Sequence, residues 1–214
     1  MRNISDISDI SDMLKNPELK ELNFNERGHV YTLNGTKIPS VTTIMRPLSN
    51  EYYKEIDANI LKTAANRGSI VHEAIENFIN LGIEDLPHEY INYYKAFKSF
   101  WSQKKPKCIA SEYRIYHKVL RYAGCADLIA EIDGQTLCID FKTSVQIVDM
   151  LARVQLEAYE RAFLSHNIPF DLKAIVHLKK DGTYDFKTYT TGDYEAWEVF
   201  GGLLSISNYL AKYR

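Results

Sequence analysis

The chain has 214 residues, a length that predicts one domain with a sizeable buried core. Apolar residues make up 45% of it, charged residues 25%, and the formal net charge is −2, which excludes a broadly basic nucleic-acid-coating protein. No run of about 18 uncharged apolar residues occurs, so we expect no membrane span. The first residues lack the apolar segment of a secretory signal, and three cysteines form no Cys-x-x-Cys pair. We therefore expect a reduced, cytoplasmic protein without disulfides.

The N-terminal region carries a threefold Ile-Ser-Asp repeat at positions 4–12. The repeat is too short to form a solenoid. Residues 1–22 are therefore predicted to be an acidic arm that is either flexible or docked to a partner. Residues 23–214 contain no long linker, and we interpret them as a single domain.

Further elements are predicted in chain order from hydrophobic periodicity and turn residues. Asn34-Gly35 indicates a hairpin within residues 29–39, and Ser40 can cap a short helix that Pro47 ends. Helices are then expected at 51–82, 88–104, 148–165 and 193–212, and strands at 107–118, 122–132, 136–143, 172–179 and 183–190. This order predicts an α/β fold: a mixed sheet flanked by helices. The expected parts are an N-terminal hairpin and helical wall (23–105), a sheet core (106–190) and a C-terminal helix (191–214).

Two neighbouring predicted strands carry the groups from which we infer chemistry. Asp140 and Lys142 project from one face because side chains alternate along a strand, and the preceding hairpin folds Asp127 beside them. Carboxylate oxygens are preferred ligands of hard cations such as Mg²⁺ or Mn²⁺. A nearby lysine can offset charge on a phosphoryl transition state, or help to orient and deprotonate the attacking water molecule. The pattern therefore predicts a metal-assisted site.

An acid-x-Lys pair alone is weak evidence, because the chain contains four of them: Glu18–Lys20, Asp140–Lys142, Asp171–Lys173 and Asp185–Lys187. Asp185–Lys187 also follows an Asp-Gly turn, but the strand before it carries no carboxylate. The apolar residues around Asp140 predict a buried strand, where an acid–lysine pair is costly without a bound ion. We interpret only this pair as functional.

Two helices point to the same place. Gln155 and Tyr159 are four residues apart and share a helix face. Gly68 and His72 lie one turn apart, so His72 could supply a nitrogen ligand and Gly68 could permit close backbone approach.

Three charged residues have a functional and an ordinary interpretation. Glu73 lies about 100° around the helix from His72, so it is either a supporting residue or a surface residue. Glu112 lies on the first strand of the core and could support the metal or pair with Lys142. Arg67 could contact a phosphate or be an ordinary solvated arginine.

The motifs resemble those of the PD-(D/E)xK nuclease superfamily, and within it the RecB-like exonuclease branch with its CRISPR-associated, phage and mitochondrial genome-maintenance members. The resemblance covers residues 64–180 and implies a restriction-endonuclease-like core. The matching motifs stand in the family's order: Gly68-x-x-x-His72-Glu73, Gly124-x-x-Asp127, Asp140-Phe141-Lys142-Thr143 and Gln155-x-x-x-Tyr159.

The resemblance implies a metal-dependent DNA exonuclease acting on single-stranded or end-containing DNA in recombination, repair or phage DNA processing. It implies Mg²⁺ or Mn²⁺ held by His72, Asp127, Asp140 and the Phe141 carbonyl, with Asp127, Asp140 and Lys142 as the catalytic group. Thr143, Gln155 and Tyr159 match positions that line the site. Three cysteines are too few for the iron–sulfur cluster of some members, and the lack of a Walker loop predicts no use of ATP.

Three alternatives stay open. The chain could be an endonuclease of the same superfamily, an inactive nucleic-acid-binding module with this fold, or an interaction protein organised by residues 1–22. DNA is the expected partner, and the arm could dock a recombination or replication protein. If base stacking contributes, one or two of Tyr52, Tyr53, Tyr93 and Tyr94 are expected to face the nucleic acid.

Overall fold

The computed structural model describes residues 7–213, and the strands among them form two sheets. The small sheet contains β1 (Leu22–Asn25), β2 (Val30–Leu33) and β3 (Thr36–Ile38), all antiparallel. The central sheet contains, in spatial order, β4 (Lys107–Tyr116), β5 (Ala123–Ile132), β6 (Gln135–Lys142), β7 (Leu172–Leu178) and β8 (Tyr184–Thr190). Its strands are antiparallel except for β6 and β7, which are parallel. The predicted mixed sheet flanked by helices is confirmed.

Seven α-helices accompany the sheets in the described residues. They are α1 (Ile7–Met13), α2 (Val41–Ile44), α3 (Arg46–Tyr52), α4 (Ala58–Leu81), α5 (Ile91–Lys104), α6 (Asp149–Leu164) and α7 (Tyr194–Ala211). Short 3-10 helices occur at Pro17–Glu21, Glu26–Gly28 and His88–Tyr90. Within the same residues, every helix is too short or too polar to span a bilayer.

The helices cover both faces of the central sheet. On one face, α4 and α5 enclose an aromatic core in which Phe97 and Phe100 lie 5.7 and 6.0 Å from Phe141, measured between ring centroids. On the other face lies α6, with α7 packed against it. The small sheet joins the central one where the backbone amide of Ala123 donates to the carbonyl of Pro39 at 2.9 Å. Helices α4 and α6 thereby flank the end of β6.

The N-terminal helical prediction is partly wrong. A single helix was expected over 51–82, but α3 ends at Tyr52 and α4 begins at Ala58, where the Asp57 carboxylate accepts the amide of Asn59. This aspartate satisfies a free helix N–H and starts a new helix. Pro47 does not end a helix but lies in the first turn of α3, where a proline loses no helical hydrogen bond.

The described part of the arm is docked on its own chain. Ile10 is fully buried, Leu14 and Leu19 are nearly so, and the Tyr113 hydroxyl donates to the carbonyl of Leu14 at 2.5 Å. For residues 7–22 the expectation of a flexible or partner-docked arm is thus corrected, because these apolar side chains extend the core beside β4. The first Ile-Ser-Asp unit lies outside the described residues.

Candidate active site

The site forms where β5 and β6 part. The last backbone pair between these two strands is Leu128 with Ile139. The next hydrogen bond involves a side chain, because Asp127 Oδ2 accepts from the backbone amide of Phe141 at 2.6 Å. Asp127 is only 8% exposed. The carboxylate is therefore held by the sheet through one oxygen, while its other oxygen faces α4.

Asp140, Lys142 and Gln155 form a closed polar network. Asp140 Oδ2 lies 2.6 Å from Lys142 Nζ, Lys142 donates to Gln155 Oε1 at 2.9 Å, and Gln155 Nε2 donates to Asp140 Oδ1 at 2.9 Å. The same amide nitrogen lies 2.9 Å from the Tyr159 hydroxyl, which accepts. The shared helix face predicted for Gln155 and Tyr159 thus brings both residues to the end of β6.

Burial and charge alter the acidity of this network. Burial raises the pKa of Asp140 to about 6, with Asp127 adding to the effect and Lys142 opposing it. Burial lowers the pKa of Lys142, but the charges of Asp140 and Asp127 outweigh it and raise that pKa above its usual value. The lysine is therefore protonated near neutral pH and lies in this network as an ammonium.

His72 reaches the same point from α4. Its Nδ1 lies 3.4 Å from Asp127 Oδ1 and 3.9 Å from Glu112 Oε1, and its Nε2 donates to the Phe141 carbonyl at 2.9 Å. Burial lowers the pKa of His72, but the charge and hydrogen bond of Asp127 more than compensate and raise it to about 9. A cation bound at Nδ1 would replace the proton that these carboxylates favour there.

Glu112 occupies a strained backbone position. Its φ is 46°, a left-handed value inside the extended strand β4 that costs a non-glycine residue about 1–3 kcal/mol. Its side chain turns toward Asp127 and accepts the Cys125 thiol, with Sγ 3.3 Å from Oε2. Sequence reasoning missed Cys125, although it shares a strand face with Asp127 and alternation alone could have identified it.

The donor set fits a divalent cation. One ligand atom from each of His72, Glu112 and Asp127 lies within 4.8 Å of the others. Burial and the charge of Asp127 raise the pKa of Glu112 to about 7, so these acids share a space that disfavours two negative charges. Carboxylate oxygens with one imidazole suit Mg²⁺ or Mn²⁺, and such an ion would relieve the repulsion.

This cluster differs from the predicted ligand set. Glu112 was expected either to support the metal or to pair with Lys142; it lies in the cluster with His72 and Asp127, whereas Lys142 pairs with Asp140. The Phe141 carbonyl is adjacent but accepts from His72. Asp127, Asp140 and Lys142 line the same cavity, and their individual roles stay predictions.

The two glycines of the motifs have different surroundings. A Cβ on Gly124 would lie 2.5 Å from Tyr159 Cε1, so only glycine lets α6 approach β5 here. A Cβ on Gly68 would lie 3.8 Å from its nearest neighbour, Thr143 Oγ1, which is an ordinary contact. Within the described residues no atom of the protein therefore approaches Gly68 closely, and the close backbone approach expected there stays a prediction.

Arg67 and Thr143, two residues predicted to support the site, lie at its margin. Arg67 donates from Nη2 to the Thr143 carbonyl at 2.9 Å, and its guanidinium lies 5.1 Å from the Tyr93 ring centroid. It fixes the end of β6 and does not line the cavity that holds the acids. Thr143 is buried beneath it, whereas Glu73 is exposed at the edge of that cavity.

One cavity of about 770 Å³, which we call the acidic cavity, is lined by Glu73, Glu112, Asp127 and Asp140. Its volume lies within the range of about 300–1,000 Å³ typical of ligand sites. The small sheet forms one wall through Phe24, His29 and Tyr31, so the predicted helical wall is partly a β wall. The cavity is also lined by His72, Cys125, Lys142, Gln155 and Tyr159.

Comparisons with known proteins give fold-level similarities. No family model matches the chain, and no curated protein matches it. The crystal structure of SSO0001 is 16% identical, with a TM-score of 0.48, covering 96% of this chain and 86% of that one. An alkaline exonuclease, LHK-Exo from Laribacter hongkongensis, is 10% identical, with a TM-score of 0.43 and coverages of 66% and 80%. LHK-Exo in complex with dAMP is 10% identical, with a TM-score of 0.39 and coverages of 82% and 87%.

Proposed function

We propose that the chain is a divalent-metal-dependent deoxyribonuclease that hydrolyses phosphodiester bonds, preferentially from a DNA end. One observation carries the proposal: the Lys142 ammonium, 2.6 Å from Asp140, lines the same cavity as the His72, Glu112 and Asp127 cluster. Metal-assisted hydrolysis of a phosphodiester uses a bound cation, and a separate positive charge beside the phosphate can offset the charge that develops on it. This cavity supplies groups for both.

The cation would be held by His72, Glu112 and Asp127, with Asp140 beside them. A bound Mg²⁺ or Mn²⁺ would polarise the scissile phosphate and lower the pKa of a coordinated water. Asp127 already has one oxygen fixed by the amide of Phe141, which orients the other. Such fixed partners limit the reorganisation that binding requires.

Lys142 would offset the negative charge that develops on the phosphate. It is held by Asp140 and by Gln155, and the Tyr159 hydroxyl in turn holds Gln155. An ammonium fixed in advance at such a position stabilises charge without reorganisation during the reaction. Gln155 and Tyr159 act by orienting the ammonium, and the proposed biological setting is recombination, repair or phage DNA processing.

The test uses end-labelled linear DNA and circular DNA, single- and double-stranded, with Mg²⁺ or with EDTA. We expect digestion of linear substrate that requires Mg²⁺ and is lost in Asp127→Asn, which keeps the side-chain size. Cleavage of circular DNA would identify an endonuclease instead. DNA binding with no cleavage in either form would support the inactive binding module and refute the proposal.

A further inference from the structure

A second, smaller cavity adjoins the acidic cavity across Lys142. Its volume is about 220 Å³, and it shares Thr42, Lys142 and Gln155 with the acidic cavity. We call it the apolar cavity because its remaining wall is mainly apolar. The residues of that wall used here are Met45, Tyr53, Ile147, Val148, Leu151 and Ala152.

The size and lining of the apolar cavity restrict its occupant. At about 220 Å³ it is smaller than the roughly 300 Å³ at the lower end of complete ligand sites. It therefore fits one group of a larger molecule whose remainder lies outside. Leu151 and Ala152 from α6 lie on one side, and Tyr53 from the α3–α4 connection supplies an aromatic ring.

Charge complementarity indicates which molecule this is. The ammonium of Lys142 lies at the boundary between the two cavities. A molecule whose anionic group binds this ammonium would therefore have one part in the acidic cavity and another part in the apolar cavity. A nucleotide has this composition, with a phosphate joined through a sugar to a flat, mostly apolar base. A peptide side chain or an acyl chain would bring no phosphate to the adjoining His72, Glu112 and Asp127 cluster, whereas a nucleotide would, and its phosphate would join the Lys142–Asp140 ion pair.

We propose that the apolar cavity binds the base of one nucleotide adjoining the scissile phosphate. This inference rests on the proposed nuclease function and assigns a substrate subsite to it. The base leaves its stack and contacts Tyr53, while the attached phosphate lies at Lys142. Aromatic contacts of this kind favour single-stranded or frayed ends, because a base there does not have to be unpaired first.

Tyr53 is the tyrosine of the four candidates that suits this task. Tyr93 and Tyr94 are buried in the α4–α5 core. Tyr52 is 39% exposed and its hydroxyl accepts from Gln146, outside the apolar cavity. Tyr53 lines the cavity directly and lies close enough to Lys142 for that charge to oppose the rise in its pKa that burial causes.

The experiment uses a set of single-stranded oligonucleotides, each lacking the base at one position near the cleaved end. With wild-type protein, KM should rise about tenfold for the abasic site next to the scissile phosphate. It should change little for more distant positions, and kcat should be unchanged. Each substrate has the same number of phosphates, so only the base contact differs.

On the intact oligonucleotide, Tyr53→Ala protein should have the same raised KM that wild-type protein has on the abasic oligonucleotide. On the abasic oligonucleotide, Tyr53→Ala and wild-type protein should have equal KM values. Turnover of the abasic substrate shows that the variant is folded. The matched control is Tyr209→Ala, which removes an exposed tyrosine on α7. A second readout is 2-aminopurine at the mapped position, whose fluorescence should be quenched by Asp127→Asn protein, which keeps Lys142 and does not cleave, and not by Asp127→Asn/Tyr53→Ala protein.

The outcomes separate the two proposals. If wild-type protein cleaves intact and abasic oligonucleotides with equal KM at every position, the subsite is refuted and the nuclease stands. A Tyr53→Ala variant that raises KM equally on both substrates, or that cleaves neither, also refutes the subsite. If wild-type protein cleaves no substrate in Mg²⁺, both proposals fail.

Discussion

Asp127 accepts a 2.6 Å hydrogen bond from the backbone amide of Phe141, so a carboxylate occupies the place of a ladder carbonyl between β5 and β6. This single contact ends the sheet pairing and fixes the carboxylate. It also leaves Asp127 Oδ1 facing His72, at 3.4 Å. The site is therefore part of the sheet's own hydrogen bonding, which explains why an acidic residue is tolerated at a position that is 8% exposed.

Replacing the proposed catalytic lysine should separate binding from hydrolysis. Lys142→Ala removes the charge beside Asp140 and should lower kcat by about 100-fold or more, while DNA affinity changes little. The matched control is Lys187→Ala, from the other Asp-x-Lys pair after an Asp-Gly turn, which bonds to the exposed Asp149 at 2.5 Å. Rates from gel assays and affinities from anisotropy measure both. Rapid digestion by purified Lys142→Ala protein would remove the lysine from the mechanism.

The glycines Gly124 and Gly68 should respond oppositely to alanine. Gly124→Ala brings a Cβ to 2.5 Å from Tyr159 and should lower the free energy of unfolding by about 1–3 kcal/mol through overpacking. Gly68→Ala has room inside α4 and should raise it by about 0.5–1 kcal/mol, because alanine favours helix. Denaturant titration of both variants checks this. An equal change in the free energy of unfolding for both variants would show that Tyr159 shifts to make room for the Cβ at position 124.

The sequence predicted the central sheet and most of the site for identifiable reasons. The alternation of Asp140 and Lys142 and the Asp133-Gly134 turn are local signals, and both strands lie within two residues of their expected bounds. Glu112 was underestimated because its position depends on a left-handed φ inside a strand, which no local pattern predicts. The docking of residues 7–22 depends on long-range contacts with β4, which periodicity alone cannot reveal.

The docked N-terminal segment should contribute to stability. Ile10→Ala removes a fully buried side chain and should lower the free energy of unfolding by about 2–4 kcal/mol. Asp12→Ala, two residues on, loses only an exposed ion pair with Lys15 and should cost less than about 1 kcal/mol. Urea unfolding of the full chain distinguishes them. Equal, small effects would support the original expectation of a loosely attached arm.

His117 should make the fold sensitive to acid. Burial lowers its pKa to about 4, and its Nδ1 accepts the amides of Val119 and Leu120. Because the unfolded side chain titrates near 6.5, the unfolded state binds more protons between these values. The free energy of unfolding should therefore fall by about 2 kcal/mol as pH decreases from about 6.5 to about 4.

Urea unfolding across this pH range measures the effect of His117. His117→Gln cannot titrate, so its loss of stability toward acid should be shallower than that of the wild type by this amount. The matched control is His88→Gln, whose side chain is exposed and which should reproduce the wild-type curve. Parallel curves for wild type and His117→Gln would contradict the assignment.

The most direct test of the proposed metal site is calorimetric titration of the protein with Mn²⁺ in the absence of DNA. The account predicts saturable binding to wild-type protein, at least about tenfold weaker binding to Glu112→Gln, and loss of binding in Asp127→Asn. Glu131→Gln, which removes a carboxylate paired with Lys107 at the other end of β5, should bind as wild type. Absence of binding to wild-type protein, or equal binding to Asp127→Asn, would contradict the account.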